Sequence, residues 1–156
     1  MAGKTVDEIF GDQLKDAVEL QAKTMTSIAM INDGKGHFAV VALPYFMQWS
    51  PIFSFVACDF NNDGKMDLLA GGNFYGVIPF EGKYDAMALS LGIGDGRGNF
   101  DPVLQHSGPL LRSGEIRDMQ QIKIDGNSCL IVARNNDQLQ FIKILNHDKN
   151  DNKTKH

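Results

Sequence analysis

The chain has 156 residues, with 15 Lys and Arg against 19 Asp and Glu, a formal net charge of −4, and 43% hydrophobic residues. That size and balance suit one globular domain with a real core, and they exclude a disordered chain. No run approaches the roughly 18 apolar residues of a spanning helix. No basic block lies outside the tail, which argues against nucleic acid as the main partner.

In chain order, Thr5-Val6-Asp7-Glu8 reads as a capping box that opens a short helix, and Gly11 stops it. Residues 14–22 are expected to form a second short helix. From Thr26 onward, short runs rich in Val, Ile, Leu and Phe are separated by Gly, Asn and Asp clusters. Strands are expected at 26–32, 38–43, 52–58, 66–71, 86–93, 114–124, 128–134 and 138–145, with no helical period between them. Many short strands without crossover helices define an all-β chain: a sandwich, barrel or propeller. The organisation expected is an N-terminal helical or linker segment at 1–24, a β domain at 25–145, and a polar, disordered tail at 146–156. The start of the chain has no apolar h-region, so no signal peptide is expected within it.

Two segments repeat. Asn32-Asp33-Gly34-Lys35-Gly36-His37-Phe38 matches Gly94-Asp95-Gly96-Arg97-Gly98-Asn99-Phe100 at an offset of 62 residues. Asp-Gly tolerates the positive φ angles of a tight hairpin, and the Phe is expected to open the next strand on its buried face. Asp59 and Asp118 extend the correspondence at an offset of 59 residues. The unit is thus about 60 residues, present about twice, which is the size of a propeller blade with insertions.

The strongest chemical signal is Asp59-Phe60-Asn61-Asn62-Asp63-Gly64-Lys65-Met66-Asp67. Oxygen side chains stand at loop positions 1, 3, 5 and 9. Gly64 allows the sharp turn that aims the Lys65 carbonyl inward. Three carboxylates so close repel unless something positive lies between them, and an all-oxygen set selects calcium over zinc or copper. An EF-hand is excluded, because the twelfth position is Ala70 rather than Glu. The plain alternative is an Asx-rich turn whose acids face water. The residues after Asp118 lack the ligand set, so one metal site is expected.

The run Asp59 to Leu69, with the two Gly-x-Gly-x-Phe hairpins, resembles the FG-GAP/VCBS repeats of integrin-α-type β-propellers. The longer stretch resembles the C-terminal part of bacterial secreted proteins of the ASPIC/UnbV type. Ser50-Pro51-Ile52, Gly72-Asn73-Phe74-Tyr75-Gly76, Tyr84-Asp85-Ala86, Arg117-Asp118 and Ala133-Arg134-Asn135-Asn136-Asp137 belong to that likeness. The resemblance implies antiparallel blades of an incomplete propeller. It implies Ca²⁺ held by Asp59, Asn61, Asp63, the Lys65 carbonyl and Asp67, and a secreted, periplasmic or cell-surface setting. Two repeats cannot close a ring. Further blades of a longer chain are expected to cover the bare faces, with self-association or a two-sheet sandwich as the alternatives.

Other signals are weaker. Gly92 to Gly98 fails both phosphate-loop patterns. None of the four histidines has a nucleophile in a motif setting, so no catalytic residue is expected. Cys58 and Cys129 sit in apolar stretches, as buried free thiols. Tyr75, Phe80 and Tyr84 lie in an aromatic-rich insertion that either packs or receives a protein or carbohydrate partner. A calcium-stabilised, non-catalytic binding or scaffold module is the reading that results. A carbohydrate-active hydrolase on a propeller body is the alternative.

Overall fold

The structure, a computed structural model, describes residues 3–78, 80, 82–103 and 114–144. The expected tail, the end of the last expected strand and the start of the sixth lie outside these residues. At the front, α1 spans Val6–Phe10. The capping box forms as read: Glu8 N–H donates to Thr5 Oγ1 at 3.3 Å, and Thr5 N–H donates to Glu8 Oε2 at 2.8 Å. The helix expected at 14–22 is absent. A single 3₁₀ turn at Gly11–Leu14 replaces it, and the chain beyond Asp16 is irregular and exposed as far as Thr26. A short helix without a tertiary partner does not recover the entropy of its own nucleation.

Nine strands follow: β1 Ile28–Asn32, β2 Phe38–Ala42, β3 Ile52–Cys58, β4 Asp67–Gly72, β5 Leu89–Gly94, β6 Phe100–Pro102, β7 Ile116–Ile124, β8 Asn127–Arg134 and β9 Gln140–Lys143. They form three antiparallel sheets in the orders β1-β2, β3-β4-β5-β6 and β7-β8-β9. The described chain is therefore mostly β with one short helix. The sequence reading omitted β6, because three residues ending in Asp101-Pro102 carry almost no strand signal.

The repeat is visible in the ladders. Both Gly-rich hairpins close in the same way. Asp33 N–H donates to His37 O and Asp95 N–H to Asn99 O, each at 3.1 Å. The paired glycines have nearly equal φ: 76° and 77° at Gly34 and Gly96, 91° and 95° at Gly36 and Gly98. So β1-β2 corresponds to β5-β6. Likewise β3-β4 corresponds to β7-β8, because each pair carries a bulge at the same point, between Ile52 and Ser54 and between Ile116 and Asp118. This register corrects the second half of the sequence alignment. Asp118 lies inside β7 and matches Ser54, not Asp59. Bulges shift side-chain phase by one residue, and a constant offset cannot follow that.

Two apolar layers fill the molecule. One joins the second sheet to the third and contains Val56, Leu69, Ala88, Ile116, Met119, Leu130 and Val132. Gly71 permits this joint: a Cβ there would stand 2.7 Å from Ile116 Cγ2 and 2.8 Å from Met119 Cε. The other layer joins Leu43, Phe46, Met47 and Ala70, with Ala29 and Phe100 against it. Of the apolar residues expected to face water, Val40 is exposed, while Leu69 and Leu130 are buried in the joint between sheets. Phe38 and Phe100 are structurally equivalent but unequally covered. Phe38 is 52% exposed, because no sheet packs over its face among the described residues, whereas Phe100 packs against the second layer.

Candidate functional site: an oxygen-rich loop and a polar hub at opposite ends of one hairpin

The 59–67 loop joins β3 to β4. Positive φ angles at Asn62 (59°) and Gly64 (88°) curl it. The curl turns successive backbone N–H groups onto its own side-chain oxygens. Asp63 N–H donates to Asp59 Oδ1 and Asn61 Oδ1 at 3.1 and 2.9 Å, Gly64 N–H to Asp59 Oδ2 at 2.8 Å, and Lys65 N–H to Asp63 Oδ1 at 2.8 Å. Asp59, Asn61 and Asp63 thus gather on one short arc. Lys65 Nζ reaches Asp63 Oδ2 at 3.9 Å.

Asp67 behaves differently. It is 0% exposed, and its two oxygens accept Phe60 N–H at 2.8 Å and Gly94 N–H at 2.9 Å. Its carboxylate ties the loop's first turn to the end of β5, so it braces three segments at once. The fit to a cation is one of donor type: every side-chain donor is a hard oxygen that keeps a second lone pair beyond its N–H bond. Among the described residues, no three His, Cys, Asp or Glu side chains converge as a metal-holding group. The connection between β7 and β8 is by contrast a tight turn at Asp125-Gly126, and Cys129 stands where Asp67 stands in the first copy. Beside the loop an open cleft of about 520 Å³ runs to the β5-β6 hairpin, lined by Lys65, Met66, Gly96 and Phe100 among others.

A second cluster occupies the other end of the β3-β4 hairpin. Asn73, 2% exposed and at φ 80°, follows β4. Its Oδ1 accepts Ser50 Oγ–H at 2.8 Å and Met87 N–H at 3.1 Å, and its Nδ2 donates to Gly114 O at 3.1 Å. Glu115, also buried, accepts Tyr75 N–H at 2.8 Å and Arg117 Nη2 at 2.7 Å on one oxygen, and Asn135 Nδ2 at 2.7 Å on the other. The Asn135 amide bond, the Tyr75 N–H and the Arg117 guanidinium hold its carboxyl below the ordinary value of 4.5. A general acid needs the opposite shift, so Glu115 is suited to structure rather than proton transfer. Arg117 lies over the Phe53 ring at 4.3 Å and near Phe74 at 5.7 Å.

The aromatic insertion starts here. Phe74 and Tyr84 exchange two backbone hydrogen bonds, at 2.8 and 2.9 Å, and close the segment into a loop. Of the three aromatic residues singled out by sequence, Tyr75 is half-buried with Lys83 Nζ 5.0 Å from its ring centroid, Tyr84 is exposed, and Phe80 is 84% exposed. Phe80 therefore stands away from the other two environments. The sequence reading assigned no role to Asn73, Glu115 or Asn135. The usable signal was positional: Asn73 and Asn135 each follow a matched strand, and each donates its N–H back to the residue before β3 or β7, Pro51 O at 3.1 Å and Glu115 O at 2.8 Å.

The chain matches no family model, no curated protein and no solved structure. No helix among the described residues is long and apolar enough to cross a membrane.

Proposed function

We propose that the chain is a calcium-stabilised, propeller-type repeat module that acts as a binding or scaffold unit without catalysis, within a secreted or surface protein. The observation that carries this reading is the repeated build. A four-stranded antiparallel meander is followed by a three-stranded one with the same bulge and the same terminal Asn, and a hairpin equivalent to β5-β6 precedes both. Units that stack face to face through such layers present their connecting loops at the two ends, where partners bind. The 59–67 loop is the candidate cation site. Asp59, Asn61, Asp63, the Lys65 carbonyl and Asp67 would hold Ca²⁺, which would offset the repulsion among the three acids and stiffen the β3-β4 connection. Tyr75, Phe80 and Tyr84 at the other end are the candidate partner surface.

Titration calorimetry with CaCl₂ on the wild type and Asp63→Ala tests the cation. A saturable heat for the wild type alone is the expected result, and equal heats for both proteins would overturn the assignment. At a hundredfold excess over Kd, calcium should add about 2.7 kcal/mol of stability.

A further inference from the structure

We propose that β1 is a self-association strand: its bare edge pairs antiparallel with β1 of a second copy across a two-fold axis at Met30. The inference rests on strand register and edge chemistry and is independent of the calcium reading.

The ladder shows which groups face the bare edge. Leu43 N–H donates to Ser27 O and Asp33 N–H to His37 O, at 2.9 and 3.1 Å. Antiparallel alternation then directs the backbone groups of Ala29 and Ile31 at β2, and those of Ile28 and Met30 outward. The equivalent residues of β5 are Ser90 and Gly92. Their outward groups are not bare, because they pair antiparallel with Ala70 and Leu68 of β4. The third strand that β5 has, β1 lacks. A two-stranded ribbon by itself is marginal, and a third strand is the usual remedy.

The edge is also unguarded. Neither Ile28–Asn32 nor Phe38–Ala42 contains a charge or a proline, and their register runs without a bulge. Other edges carry blocking features: Asp101 and Pro102 in β6, Lys143 in β9, bulges in β3 and β7. The outer edge of β2 corresponds to that of β6, the bare edge of the equivalent sheet, so the open position is at β1. A two-fold axis brings a strand to its own copy in antiparallel orientation, which is the orientation β4 takes on β5. Centred on Met30, the pairing sets Ile28 opposite Asn32 of the copy and makes a four-stranded sheet in the order β2-β1-β1-β2, matching the strand number of the second sheet.

Sedimentation velocity on the full 156-residue chain, from about 1 to 100 µM, tests the proposal. The expected result is a concentration-dependent dimer. Met30→Pro removes an outward N–H and leaves the β1-β2 ladder whole, so it should weaken the dimer at least roughly tenfold with an unchanged circular dichroism spectrum. Hydrogen exchange gives a second readout that does not depend on the variant folding: the wild-type Met30 amide should exchange roughly tenfold more slowly in the dimer than at dilution. A monomer throughout the range, a dimer indifferent to Met30→Pro, assembly beyond a dimer, or a Met30 amide equally fast at both concentrations would each overturn the proposal.

Discussion

Glu115 shows how one buried carboxylate can join two sheets. It collects a backbone N–H, a guanidinium and an amide, and Arg117 in turn stacks on Phe53. Its folded pKa lies below its unfolded one, so the folded state binds fewer protons. The stability it adds is fully present above the ordinary glutamate range and is lost as pH falls from about 4.5 through the folded value. Glu115→Gln should flatten that part of the stability profile relative to wild type and lower stability at neutral pH by about 1–3 kcal/mol. Urea denaturation at several pH values checks both effects, and parallel profiles for the two proteins would remove Glu115 from this role. Asp33 and Asp95 also sit below the usual carboxylate range, the first chiefly through the Lys35 N–H and the second chiefly through the Asn99 amide. Both aspartates stay in the variant, so the difference isolates Glu115.

At the scale of elements, the joint between the second and third sheets depends on close approach at Gly71. Gly71→Ala must displace the Met119 thioether and the Ile116 methyl, at a cost of about 1–3 kcal/mol. Met119, 3% exposed in the same joint, should lose about 2–5 kcal/mol on truncation to Ala. The two hairpin phenylalanines give a sharper comparison. Their turns are alike in sequence, hydrogen bonds and φ, yet only Phe100 has a layer to enter. Phe38→Ala should change stability by less than about 1 kcal/mol and Phe100→Ala by clearly more. Thermal denaturation of the pair decides it; equal losses would mean that Phe38 is covered in solution.

At the scale of the whole molecule, the front of the chain is peripheral. α1 buries none of its residues, and the segment up to Thr26 adds no side chain to either apolar layer. Removing residues 1–24 should therefore shift Tm by less than about 2 °C. Calorimetry on the truncated chain tests this, and a large drop would show that the segment docks on the sheets.

The sequence alone determined what is local. The capping box, the paired Asp-Gly hairpins and the curled 59–67 loop each follow from side chains that bond to a backbone only a few residues away, so a short window contains the cause. Alternating short apolar runs also determined an all-β chain. Only the tertiary structure decided the rest, because those causes lie far apart along the chain. Ser54 meets Asp118 across 64 residues, Asp67 reaches Gly94 across 27, and Glu115 reaches Tyr75 across 40. Bulges moved the repeat register that a constant offset had set, and the absence of a packing partner left Phe38 exposed where Phe100 is covered. Burial and long-range hydrogen bonding are properties of a pair of surfaces, and a linear pattern specifies one surface at a time.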